Sequence, residues 1–274
     1  MKTLIAAAIV LSASTLFVSA GTNLYDTNNW YAIRNGATPV FSATGDSMTI
    51  TNLSYDANTF CYIDPITFIV GQTITVSGTI NLSSISGNSG ANTVFGIFDS
   101  KTETQANIDQ IISDNSLTHG INSKDHAEWG VSKLTNSMAG FMSSVSTAWN
   151  RNNPNEKSGF LTTNSGGTKI AAYAPEFSSP TQNTDYNFSI SLKKTAENVY
   201  AGAFSLGDGT TYSFETQTND KIEKIDVIGF KMPTNSGAAT IKNLAIAVAP
   251  EPAMFGLLAG TLALVLAGTR RRRR

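Results

Sequence analysis

Glu223 and Asp226 share the strand-like run KIEKIDVIGFKM, and carboxylates are the first groups to consider for acid–base chemistry. A retaining glycosidase needs two carboxyl groups about 5–5.5 Å apart. On one strand that means positions i and i+2, because successive side chains alternate faces. Three apart, Glu223 and Asp226 fall on opposite faces and read as solvated charges. His119 and His126 are the two histidines, in HGINSKDHAEW beside Asp125 and Glu128. Their spacing matches no zinc pattern, and they read as polar loop residues. Cys61 is the one cysteine. It can form no intrachain disulfide and reads as a small buried side chain. No nucleophile elbow and no phosphate-binding loop is present. The expectation is a protein without catalytic residues.

Two binding chemistries remain. Asp99, Glu103, Asp109 and Asp114 cluster within FDSKTETQANIDQIISD, and carboxylate oxygens are the ligands of calcium. They are calcium candidates, although the twelve-residue EF-hand pattern is absent. Trp30, Tyr31, Trp129 and Trp149 are candidate glycan contacts, since a sugar face lies well on an aromatic ring. Tryptophan in a β-sandwich also serves as core.

These residues must be carried by short strands. From Leu24 to Val248 apolar and polar residues alternate in runs broken by Gly, Asn, Asp and Pro. SMTITNL and TFCYI are two such runs. TITVSGTINL puts Ile74, Val76, Ile80 and Leu82 on one face, with Gly78 as an expected bulge. NTVFGIFD is more continuously apolar, as a strand covered on both faces would be. YNFSISLKK places Tyr186, Phe188, Ile190 and Leu192 together. The Gly-Asp-Gly after NVYAGAFSL marks a hairpin. One short helix is expected near 104–113, where Ile108, Ile111 and Ile112 stand at helical spacing. SMAGFMSSVSTAW reads as strand or loop. No linker or repeat divides the body, so residues 21–248 read as one all-β domain, an antiparallel β-sandwich.

Composition agrees with export. Charged residues are 14% of the chain, against about 25% in an average soluble domain. The net charge of −1 hides a division. Setting aside Lys2 and the terminal arginines leaves 13 basic against 19 acidic residues between Gly21 and Ala249, a balance of −6. A body of that sign lacks the basic face a nucleic-acid partner requires.

The ends differ from the body. Residues 1–20 have the form of a signal peptide: Lys2, an apolar run, then Val18-Ser19-Ala20 as a small-residue cleavage site. The expected mature chain starts at Gly21. At the other end, Pro250, Glu251 and Pro252 precede an apolar stretch over 253–269 and then Arg270, Arg271, Arg272, Arg273 and Arg274. As a helix, its 16 uncharged residues from Ala253 to Gly268 would cover about 24 Å of a hydrocarbon core of about 30 Å, within reach of spanning once the arginines snorkel. The arginines would stay on the cytoplasmic side. Sequons at Asn52, Asn81 and Asn187 could suggest a eukaryotic lipid-anchor signal, but such tails do not close on arginine.

Pro-Glu-Pro, short apolar helix and arginine cluster in this order resemble the PEP-CTERM sorting signal of Gram-negative bacteria over residues 249–274. The resemblance implies handling by the Sec export machinery and then by an exosortase, a membrane-embedded transpeptidase-like enzyme that cuts near Pro-Glu-Pro. It implies transient anchoring in the inner membrane, release to the cell surface or extracellular matrix, and an association with exopolysaccharide and biofilm. The closing pattern IDVIGFKMPTNSGAATIKNLAIAV makes the body similar to the concanavalin A-like jelly roll, a fold that often binds a structural calcium; no other cofactor is expected. The Glu-x-Asp-x-x-Glu pattern of jelly-roll laminarinases is absent. The expectation is an exported, non-enzymatic surface or matrix protein sorted by an exosortase. The alternatives are a glycan-binding, lectin-like module of the same fold or a glycoside hydrolase.

Overall fold

Alternating burial is visible along the strands and divides them between two sheets. The structure, a computed structural model, describes residues 23–34, 40–53, 58–83, 92–101, 104–114, 120–122, 138–146, 157–161, 172–173, 181–207, 211–217, 221–231 and 237–249. In chain order the first strands are β1 (Trp30–Arg34), β2 (Val40–Thr44), β3 (Ser47–Leu53), β4 (Asn58–Thr67), β5 (Thr73–Leu82) and β6 (Asn92–Asp99). Helix α1 (Gln105–Asp114) follows, then β7 (Gly120–Asn122), β8 (Ala139–Ser146), β9 (Lys157–Leu161) and β10 (Ala172–Tyr173). The last five strands are β11 (Asp185–Ala196), β12 (Val199–Leu206), β13 (Thr211–Gln217), β14 (Lys224–Lys231) and β15 (Gly237–Ala249).

One sheet has eight strands in the order β10-β9-β8-β6-β14-β4-β1-β7; the other has seven, β13-β12-β11-β5-β15-β3-β2. Pairing is antiparallel except between β1 and β7. This is the expected antiparallel β-sandwich, with the expected helix between β6 and β7. SMAGFMSSVSTAW resolves into a strand, β8.

The faces that meet between the sheets are apolar. On β5, Ile74, Val76, Ile80 and Leu82 are buried; on β11, Phe188, Ile190 and Leu192 are. Aromatic rings join the sheets: Phe95 lies 4.8 Å from Phe188 and 5.1 Å from Phe204, and Phe230 lies 5.8 Å from Phe188. Such pairs contribute about 0.5–1.5 kcal/mol beyond the area they bury. The bulge expected at Gly78 sits instead on its neighbour. Between Lys242 and Ala245 the register of β15 against β5 shifts, and Asn243 takes a φ of +51°. Gly78 stands opposite, where a side chain would approach the Lys242 carbonyl at 3.0 Å.

The eight-stranded sheet is apolar on its other face too. Tyr31, Phe60, Tyr62, Phe98 and Val227 form a second buried cluster, closed by Ile108 of α1 and by Met138. NTVFGIFD is therefore covered on both faces, as its continuous apolarity implied. Residues 1–20 and 250–274, which hold the expected signal peptide and the Pro250–Arg274 signal, lie outside the described residues. Among the described residues no helix is long and apolar enough to cross a membrane.

Candidate functional site

Pro65 has no N–H to give to a sheet ladder, so it is tolerated where a strand bulges. It does so here. Ile225 pairs with Ile66 and Val227 with Tyr62, so Ile63, Asp64 and Pro65 together oppose Asp226. This widened stretch of β4 opens a cleft of about 440 Å³ between β4, the start of β14 and the first turn of α1. Bulges commonly re-aim side chains beside functional sites.

Helix α1 forms the far wall. Thr104 caps it, its hydroxyl accepting from the Asn107 N–H at 3.3 Å. Gln105 and Asp109, one turn apart, hold the Tyr31 hydroxyl from both sides. Tyr31 donates to Asp109 Oδ1 at 2.7 Å and accepts from Gln105 Nε2 at 2.9 Å. Burial first, and the Asp109 carboxylate second, push the Tyr31 phenol above its ordinary range. Gln105 also reaches Asn29 Oδ1 at 3.5 Å, at the end of a single helical turn capped by Asp26. The ring of Tyr62 meets Tyr31 edge-on at 5.4 Å and forms part of the cleft wall.

The near wall is charged. Asp226 is buried, a correction to its reading as a solvated charge; Glu223 is exposed. Asp226 Oδ1 accepts the Ser100 N–H and Oδ2 the Ser100 hydroxyl, both at 2.7 Å, and Lys224 pairs with Oδ2. Lys224 and Asp226, two apart, face the cleft together with Asp64. Two carboxylates against one ammonium leave the lining net negative. Amides, carboxylates, a hydroxyl and an aromatic wall suit a neutral polyhydroxylated ligand, held by hydrogen bonds and by apolar contact. They disfavour an anionic one.

The sequence candidates divide as follows. Trp30 is fully buried, stacked on Phe230 at 5.9 Å, with its indole N–H bonded to the Leu24 carbonyl at 2.9 Å. It is a core residue and reaches no ligand, because strand alternation points it between the sheets. Tyr31 faces the other way and holds α1 beside the cleft. Trp129 and Trp149 lie outside the described residues, as do His119 and His126. Of the calcium candidates, Asp99 is buried and already committed. It accepts from the Lys101 and Glu223 backbone N–H groups at 3.1 and 3.0 Å and pairs with Lys101 Nζ at 2.8 Å. Asp109 is bonded to Tyr31, Glu103 lies outside the described residues, and the Asp114 side chain is not described. Asp99 and Asp109 are thus held by separate partners. Among the described residues no three His, Cys, Asp or Glu side chains are grouped to hold a metal. Cys61 is fully buried, its thiol pushed above its ordinary range by burial.

The sequence reading missed Asn29, Tyr62, Asp64, Gln105 and Lys224 as cleft residues. Its available signal was Pro65 inside an otherwise strand-like run.

No protein-family model matches the chain, and no curated protein matches it in sequence. Solved structures are similar in layout. Lectin I-B4 of Griffonia simplicifolia, in its metal-free form, has 11% identity and a TM-score of 0.47, covering 85% of this chain and 96% of its own. The carbohydrate recognition domain of Emp46p, also metal-free, has 9% identity and a TM-score of 0.48, covering 87% and 97%. An endo-1,3-β-glucanase from Streptomyces sioyaensis has 10% identity and a TM-score of 0.43, covering 85% and 86%.

Proposed function

We propose that this is an exported carbohydrate-binding protein that takes a neutral glycan in the cleft between α1, β4 and β14. The observation that carries the reading is the cleft itself. Amide, carboxylate and hydroxyl groups from the Asn29 turn, β4, the start of α1 and β14 converge beside the Tyr62 ring, at a bulge of β4 that contains Pro65. Delivery to the surface rests on the two terminal segments. Residues 1–20 direct export, and Pro250, Glu251 and Pro252 with the arginine cluster direct sorting by an exosortase.

Native electrophoresis of the mature protein through gels containing neutral polysaccharides tests the binding. Retardation by at least one of them is expected, and it should weaken on Asn29→Ala or Asp64→Ala. Both changes fall on side chains that are not fully buried, so the melting temperature should hold. Equal mobility in every gel, or variants that bind like the parent, would remove the reading. Asp64 and Asp226 share the cleft, and that favours glycoside hydrolysis as the second reading. Release of new reducing ends from a retained polysaccharide would establish it.

A further inference from the structure

We infer that the end of the sandwich carrying Ile69 and Val70 rests on the lipid bilayer while the chain is anchored, with these two side chains inserted at the headgroup–acyl boundary. They are large aliphatic residues left 52% and 48% exposed, while Phe68 just before them is buried. Their turn is fixed. Gln72 donates its N–H to the Ile69 carbonyl at 3.1 Å, and the Ile69 N–H is held by Gln72 Oε1 at 3.2 Å. Gly71, at a φ of +87°, supplies the left-handed corner of the turn. The Gly71 N–H bonds the Lys194 carbonyl at 2.7 Å, which ties the turn to β11. Ile69 and Val70 are thus presented outward by the backbone.

What lies below them follows from the last strand. Ala249, the final residue of β15, pairs with Thr73, the first residue of β5, three positions beyond Val70. The chain therefore leaves the body at the end that carries Ile69 and Val70. Only Pro250, Glu251 and Pro252 separate Ala249 from the apolar stretch starting at Ala253. Four steps of extended chain reach at most about 13–14 Å. If that stretch crosses the membrane, this end of the body cannot stand far from it, and a bilayer is the apolar phase within reach of the turn. The inference rests on reading residues 253–269 as membrane-spanning. Two aliphatic side chains bind lipid weakly alone, but tethering makes the contact effectively intramolecular.

The test places an environment-sensitive fluorophore on Val70→Cys, Gln182→Cys or Leu264→Cys, each in the full chain with Cys61→Ala. The proteins are reconstituted in vesicles of phosphatidylethanolamine and phosphatidylglycerol containing a fraction of brominated lipid. Gln182 is exposed at the opposite end, where Asn183 bonds the Leu82 carbonyl at the end of β5. Blue-shifted, quenched emission is expected at positions 70 and 264, and water-like emission at 182. Quenching at 264 with water-like emission at 70 would overturn the lipid contact and leave the anchor standing. Water-like emission at 264 would overturn the anchor reading and this inference with it. Equal quenching at 70 and 182 would overturn the orientation. Since Val70 is exposed and Cys61 buried, Val70→Cys alone, labelled without the Cys61 change, covers the case in which Cys61→Ala disturbs folding.

Discussion

Asp226 shows how one residue can serve both the packing and the cleft. It gathers two donors from Ser100 and one from Lys224. Asp226→Ala would strand the buried Ser100 groups, at a cost of about 1–3 kcal/mol. Urea denaturation should show that loss, with a smaller one for Asp226→Asn, which keeps an acceptor. Both should weaken polysaccharide retention. An Asp226→Ala protein as stable as the parent would mean that these bonds contribute nothing net. The titrating residues give a second expectation. Burial raises the Tyr25, Tyr31 and Tyr200 phenols above 10.0 and the Cys61 thiol above 9.0. All four lose protons more easily in the unfolded chain. Their contribution to stability is fully present below the unfolded values and is lost as pH rises through the folded ones. The urea midpoint should therefore hold through neutral pH and fall above about pH 9, less steeply in Tyr31→Phe. A midpoint level to the point of alkaline hydrolysis would contradict this. Neither Asp226 nor Trp30 was legible in the sequence. An acid between apolar neighbours reads as solvated until Ser100, far upstream, is seen to face it. Trp30 and Tyr31 look alike as glycan contacts until the pleat sends them to opposite faces.

Elements were more legible than sites, because burial imposes a period of two on each strand wherever a core lies on one side. Ile74 to Leu82 and Phe188 to Leu192 follow it directly. Two departures mark where other forces act. Pro65 lies in the bulged stretch of β4 that lines the cleft; a propensity reading ends the strand there, whereas tertiary pairing with β14 carries it on to Thr67. The second departure is a patch of glycine on the outer face of the eight-stranded sheet. Gly96 on β6, Gly229 on β14 and Gly140 on β8 lie beneath the Phe98 ring. A Cβ on Gly96 would stand 2.2 Å from that ring. Gly96→Ala should therefore cost about 1–3 kcal/mol, as overpacking does. Phe98→Leu should recover part of that cost in the double variant, a non-additivity that contact predicts. If the two losses simply add in a thermal or urea double-mutant cycle, the ring does not need the glycine floor.

At the scale of the whole molecule, the position of β15 limits where the chain can be cut. It is the last strand in sequence but an interior one in space, between β5 and β3. Its ladder to β5 runs from Ala239 to Ala249, and its partner bonds continue to the last residue before Pro250. Its inward side chains Ala239, Ile241, Leu244, Ile246 and Val248 are all buried. A chain ending at Pro252 should keep every one of these pairs and unfold within about 0.5 kcal/mol of the full-length protein, since surface changes away from such features cost little. A chain ending at Asn243 loses Leu244, Ile246 and Val248 from the core. At about 1.5–3 kcal/mol for each buried aliphatic side chain, that loss alone approaches the whole stability of a typical domain. It should fail to give a cooperative melt. Comparing the two truncations by calorimetry checks both statements, and a cooperative melt from the shorter chain would show that β15 is dispensable. The difference bears on the proposed sorting. A cut at Pro250-Glu251-Pro252 releases the body with its last strand intact. A cut a few residues earlier removes core side chains and leaves the start of β5 without its partner. Pro-Glu-Pro thus stands at the first place after Val248 where the chain should be severable without cost to the fold, which is what the proposed cleavage would require.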